Sequence, residues 1–177
     1  LDSVGMVRYA HSFLNAGLDF GGQPLGRQAD PRTHFTIGSG AEPEAVNVAR
    51  ELEKLQRKID AGADYIFTQP VFRFEALEAL RREKGAPPMR IRVLVGVMVL
   101  TGVEHAKRFA QVPGVAVPQV VFDRLGRYER PEDQSKAGVE LAVEQVSWVR
   151  RNGWAGLYLM SPASHEPVIE VLRAALA

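Results

Sequence analysis

Residues 51–72 constrain the fold more than any other stretch. They read as an amphipathic helix, a glycine stop at Gly62, a short buried strand over 65–68 and a carboxamide, Gln69, at the strand's far end. Val48, Leu52, Leu55 and Ile59 recur at helical spacing and mark the buried stripe of a helix expected over 45–61. Gly62 suits the left-handed residue that closes a helix. Helix, strand and polar strand tip form the repeating unit of a (β/α) barrel, and barrels carry their chemistry at the carboxyl ends of the strands. A neutral Gln at such a tip is a poor acid, base or nucleophile. Its paired donor and acceptor suit the edge of a heterocycle.

The same alternation runs through the chain. Ser3 is placed to cap a first helix over 3–13, with Val4, Val7, Ala10 and Leu14 along one face. A polar, Gly-rich connection follows over 15–32. Strands are expected over 34–37, 65–68, 91–99 and 156–160, and further helices over 74–84, 103–109, 118–125, 131–151 and 165–176. Gly85-Ala86-Pro87-Pro88 breaks the third helix. In the last helix Val168, Val171, Leu172 and Ala175 are expected to face inward. The third strand is nearly all apolar, as for a parallel strand covered on both faces. Gly38-Ser39-Gly40-Ala41-Glu42-Pro43 reads as a flexible strand-to-helix turn. A truncated dinucleotide fingerprint is the weaker alternative, because Pro43 replaces its third glycine.

Four strand–helix units imply a parallel sheet with right-handed crossovers. Four units are half of an eight-stranded barrel, and the chain opens on a helix with no strand before it. The expectation is an α/β fold: residues 1–177 as one partial domain, the C-terminal half of a (β/α)8 TIM barrel. A small open four-stranded domain is the alternative, and it would leave two long apolar edges unpaired.

Composition narrows the function. A chain of 177 residues, 46% hydrophobic and 24% charged, can bury one sizeable core. A net charge of +1 gives no field directed at nucleic acid or a membrane surface. The longest apolar run, 93–100, is too short to span a bilayer. The opening residues have neither the basic region nor the apolar core of a secretory leader, so the cytoplasm is the default location. With no cysteine, disulfides, thiolate metal sites and Cys nucleophiles are excluded. The four histidines, at 11, 34, 105 and 165, contain no pair at metal-ligand spacing, and no metal site is expected.

Four segments, in order along the chain, resemble one family. They are Leu1-Asp2-Ser3-Val4-Gly5-Met6-Val7-Arg8 with the loop Leu18 through Gly26; the helix running into Thr68-Gln69-Pro70-Val71-Phe72; Val95-Gly96-Val97-Met98-Val99-Leu100-Thr101 with Ala106-Lys107-Arg108-Phe109 and Val112-Pro113-Gly114; and Gly156-Leu157-Tyr158-Leu159-Met160-Ser161-Pro162. Together they are similar to the methylenetetrahydrofolate reductase family. They most resemble the reductase half of bacterial bifunctional homocysteine S-methyltransferase/methylenetetrahydrofolate reductases. The resemblance implies an FAD enzyme that takes hydride from NAD(P)H and reduces 5,10-methylenetetrahydrofolate to 5-methyltetrahydrofolate, feeding methionine synthesis.

The resemblance also implies roles. Gln69 matches the family's folate-contacting Gln. Glu51, Lys54, Arg57 and Lys58 fall on the helix that borders the ribityl chain and diphosphate of FAD. Taken without the family, they are a solvated helix face with pairs such as Glu51 with Lys54 and Glu53 with Arg57. Phe109 matches an aromatic near the flavin face, and by itself reads equally as a core residue. His105 stands where relatives have a substrate-contacting Gln. The loop over 38–43 lacks the Tyr and His that relatives turn toward FAD, Val99 stands where the family often has Pro, and Met160 replaces a Tyr.

The family's general acid, a Glu of the first strand, and its flavin-tuning Asp, after the fourth, have no counterpart here. No catalytic residue is therefore expected within these residues, and the chain alone is expected to be inactive, to need the N-terminal half of the barrel and to self-associate. Two other readings stay open. One is a flavin-independent barrel enzyme for a pterin or phosphorylated substrate, with Thr101-Gly102 helping to hold phosphate. The other is a non-catalytic half-barrel that dimerises through its edges.

Overall fold

A computed structural model describes residues 1–27, 29–82, 91–161 and 164–176. The chain runs α1 (Ser3–Ser12), β1 (Gly38–Ala41), α2 (Val48–Asp60), β2 (Tyr65–Pro70), α3 (Phe74–Arg82), β3 (Arg92–Met98), α4 (Val103–Phe109), α5 (Gln119–Leu125), α6 (Pro131–Arg151), β4 (Gly156–Met160) and α7 (Glu166–Leu176). The expected break at Gly85-Ala86-Pro87-Pro88 and the Pro162 of the fourth matching segment lie outside the described residues.

The four strands form one parallel sheet in the order β1-β2-β3-β4. Alternation along each strand sends one set of side chains to the helices. Ile66 of β2 packs with Leu55 of α2 and Leu80 of α3. Val95 of β3 packs with Leu77 of α3 and Val149 of α6, while Val97 meets Ala142 and Val146 of α6 and Val171 of α7. Burying a side chain such as Leu55, Ile66 or Leu77 contributes roughly 1.5–3 kcal/mol each. Gly138 lets α6 settle directly on the carbonyl of Leu100, where a Cβ has no room.

The other set of side chains forms a second sheet face. Tyr65 and Phe67 stand 6.4 Å apart between ring centroids, and Phe67 and Tyr158 stand 5.7 Å apart. Tyr158 remains 46% exposed. A sequential strand order with helices on one side is the winding of a barrel wall. A doubly wound sheet would reverse its order and carry helices on both faces. The fold is thus α/β, four parallel strands alternating with helices, in the arrangement of half a (β/α)8 barrel.

Several expectations are corrected. The first strand is Gly38–Ala41, not 34–37, and the turn expected at 38–43 is partly strand. Glycine and small residues have weak β propensity, but pairing with Tyr65–Thr68 of β2 decides the matter. A side chain at Gly38 would collide with the Tyr65 ring. The segment before it is tied down at its last residue, where the Ile37 amide donates to Asp64 Oδ2 at 2.7 Å. Asp2 and not Ser3 caps α1, its Oδ1 accepting from the Gly5 amide at 2.7 Å. Asn47 caps α2, so that helix starts three residues later than expected. β3 is not covered by helices on both faces. Its apolar run divides between the helices and the aromatic face. Of the four residues expected to face inward from α7, Leu172 is exposed, while Val171 is buried and Val168 and Ala175 pack beside it. Among the described residues no helix is long and apolar enough to cross a membrane.

Candidate functional site

At the carboxyl end of the sheet, α2, β1, β2 and β4 enclose a cleft of about 420 Å³. Gln69 and Phe67 reach it from β2, Tyr158 and Met160 from β4, Ser39 and Gly40 from β1, and Lys54 and Lys58 from α2. The helix periodicity explains the last pair, since residues four apart lie on one face. Strand alternation explains the first pair, since residues two apart share a side.

Gln69 lies within an irregularity of β2. Phe67 pairs with Leu94, but the next pair is Pro70 with Gly96, so β2 spends one more residue than β3 over the same span. That is a bulge, a device that re-aims a side chain and raises local twist. Pro70 has no N–H to give to a regular ladder.

Lys58 is buried, and its Nζ donates to the Gly40 carbonyl at 2.5 Å. Burial holds its pKa below the usual lysine value, an effect that Glu51 and Glu42 oppose and Lys54 reinforces. Glu51 is buried as well. One oxygen accepts from the Glu42 amide at 3.2 Å, and the other lies 3.6 Å from Lys54 Nζ. The expected Glu51–Lys54 pair is therefore present. Arg57 pairs elsewhere than expected. Its guanidinium, exposed, lies 4.0 Å from Asp2 rather than against Glu53. Arg57, Glu51 and Lys54 line a neighbouring cleft of about 460 Å³ between the start of α1 and α2, and it shares Ser3 and Lys54 with the first.

Phe109 and His105 are not among the residues lining either cleft. Phe109 packs into the apolar cluster around Leu100, Ala106 and Leu125 and meets the Phe72 ring edge-on at 6.2 Å. His105 is buried beside it, and its Nδ1 accepts from the Thr101 amide at 3.2 Å. Burial pushes the imidazole pKa down, and Arg108 adds to this. Both residues hold α4 to the strand tip that precedes it. Of the Thr101-Gly102 pair expected to help with phosphate, Thr101 is engaged by its amide and hydroxyl with His105 Nδ1, and Gly102 precedes α4.

Phe67 and Tyr158 were not anticipated as cleft residues. The period-2 rule places Phe67 beside Gln69. Tyr158 pairs with Gly96 of β3, which has no side chain to separate it from Phe67, and no local pattern encodes that register.

The dinucleotide implied by the resemblance needs a flat apolar surface for its ring and cations for its diphosphate. Phe67 and Tyr158 supply the first, and Lys54 and Lys58 the second. The donor set fits such a group, although the carboxylates of Glu42 and Glu51 lie close to the cations.

Comparison with known proteins adds independent information. A family model described as "Methylenetetrahydrofolate reductase" matches residues 32–175. The chain is 27% identical over 146 residues to a probable methylenetetrahydrofolate reductase (NADPH) of Caenorhabditis elegans, a match covering 79% of this chain and 22% of that one. It is 28% identical over 114 residues to the 5,10-methylenetetrahydrofolate reductase of Escherichia coli, covering 63% of this chain and 38% of that one. The chain thus spans well under half the length of these relatives. A solved structure, described as an uncharacterized protein from Clostridium thermocellum that binds two copies of 5-methyl-5,6,7,8-tetrahydrofolic acid, superposes with a TM-score of 0.53. Identity there is 18%, over 78% of this chain and 51% of that chain, so the likeness is one of fold. Matched by the family model over most of its length, and folded as the half barrel that its ordered motifs imply, the chain belongs to the methylenetetrahydrofolate reductase family.

Proposed function

We propose that this chain forms the folate- and flavin-binding half of a reductase that converts 5,10-methylenetetrahydrofolate to 5-methyltetrahydrofolate at the expense of NAD(P)H. The observation that carries the reading is the meeting of Gln69, Lys54 and Lys58 in one cleft at the strand tips. The folate bound by the solved neighbour supports a folate substrate.

In this reading Gln69 pairs through its carboxamide with the donor–acceptor edge of the pterin. Lys54 and Lys58 offset the charge of the cofactor diphosphate with several donors. Glu51 and Arg57, in the adjoining cleft, hold the more distant part of the dinucleotide. Phe67 and Tyr158 form an apolar wall that keeps water from the reacting face. His105 and Phe109 act through packing: they steady the β3 tip rather than touch substrate. Bound FAD would supply hydride transfer between nicotinamide and folate. The general acid comes from outside these residues, so the chain by itself is inactive and the N-terminal half of the barrel is its necessary partner. A cytoplasmic enzyme of the bifunctional kind, joined to a homocysteine S-methyltransferase, fits the motifs best.

The test is Gln69→Ala in the full-length protein. Folate reduction should fall by at least about tenfold, the scale of a lost substrate hydrogen bond, while flavin reduction by NAD(P)H persists. Equal loss in both half-reactions would refute the assignment.

A further inference from the structure

Where β2 bulges, the β3 amide that should meet a β2 carbonyl has another partner. The Gly96 N–H donates to Thr68 Oγ1 at 2.9 Å, and the Thr68 side chain is buried. Regular contact resumes one step later, with the Val71 amide donating to the Gly96 carbonyl at 3.2 Å. Gly96 is itself pressed against the bulge. A Cβ there would overlap the Thr68 carbonyl and come within 2.9 Å of the Gln69 carbonyl carbon and the Pro70 nitrogen. The hydroxyl of Thr68 thus stands in for the ladder acceptor that the extra residue displaces. Without it, a buried backbone donor would be unpaired, which a folded chain avoids by moving the backbone.

We propose that Thr68 is a positioning residue: its bond to Gly96 latches the bulge and so fixes the direction in which Gln69 presents its carboxamide. The inference rests on Gln69 being the folate contact. Thr68 borders the same cleft, but its hydroxyl is engaged by Gly96, so it acts on Gln69 through the backbone. A misplacement of about 1 Å in a binding group can cost on the order of a hundredfold. The latch therefore matters more for folate than the single bond suggests. Valine has the shape of threonine without the acceptor, and serine keeps the acceptor without the methyl, so the pair separates hydrogen bonding from packing.

The experiment uses the full-length protein with Thr68→Val, Thr68→Ser and Gln69→Ala. Binding of 5-methyltetrahydrofolate is titrated, and flavin reduction by NAD(P)H is followed separately. Thr68→Val should weaken folate binding by about tenfold, leave flavin reduction within about twofold of the parent, and be rescued largely by Thr68→Ser. Wild-type folate affinity in Thr68→Val, with Gln69→Ala impaired, would overturn the latch alone. Equal loss of folate binding and flavin reduction would make Thr68 merely structural, and would overturn it too. Wild-type affinity in Gln69→Ala would remove the reading on which the latch depends.

Discussion

The ammonium of Lys58 donates to the carbonyl oxygen of Gly40 at 2.5 Å, joining the inner face of α2 to the β1 strand. The bond ties a charged group into the wall of the cleft proposed for the cofactor. It also keeps that group out of water, at an energetic cost.

That cost has a pH signature. Burial lowers the Lys58 pKa in the folded state below the usual value near 10.5. The unfolded chain binds the proton more tightly, so the charged lysine opposes folding at neutral pH. The penalty fades as pH rises through the depressed pKa and is gone above 10.5. Lys58→Met should therefore gain stability relative to the parent at neutral pH, and the gap should narrow toward pH 10.5. Urea unfolding across that range measures it. A gap independent of pH would contradict the assignment. The same variant should bind flavin more weakly.

His105 has the same sign in a lower pH window. Its folded-state pKa lies below the usual value near 6.5 because burial disfavours the imidazolium and Arg108 repels it. Its contribution is intact above pH 6.5 and is lost as pH falls toward the depressed value, since the unfolded chain protonates first. Thermal unfolding between pH 5 and 8 should show a loss of stability on acidification that His105→Gln diminishes. An unchanged acid profile in the variant would place the effect elsewhere.

These sites differ in how far the sequence discloses them. Lys54 and Lys58 follow from helix spacing, and Gln69 from its position after an apolar strand. The barrel winding follows from four strand–helix units in order. β1 was hidden because Gly38-Ser39-Gly40-Ala41 has no β-forming residue. It is a strand through its pairing with β2, with Gly38 chosen to admit the Tyr65 ring. The cap of α1 was misplaced by one residue, as Asp2 and Ser3 offer the same chemistry. Tyr158 and the Thr68–Gly96 bond were illegible for a different reason: each depends on register between strands far apart in the chain. Phe109 and His105 matched by position; Phe109 packs in the apolar cluster around Leu125, with His105 buried beside it.

The isolated 177-residue chain should lack reductase activity and retain little flavin. Among the described residues β1 and β4 each pair on one side only, and unpaired parallel edges invite association. Size-exclusion chromatography with light scattering should show dimers or larger species, and the absorbance spectrum should lack flavin bands. A yellow monomer that oxidises NAD(P)H would contradict the account.

The most direct test concerns Gln69. Stopped-flow measurement of the two half-reactions in full-length Gln69→Ala separates pterin recognition from everything the flavin does alone. The account predicts that reduction of 5,10-methylenetetrahydrofolate slows by at least about tenfold while reduction of the flavin by NAD(P)H keeps its rate. An unaltered folate half-reaction, or an equal fall in both, would show that the carboxamide at the tip of β2 does not read the substrate.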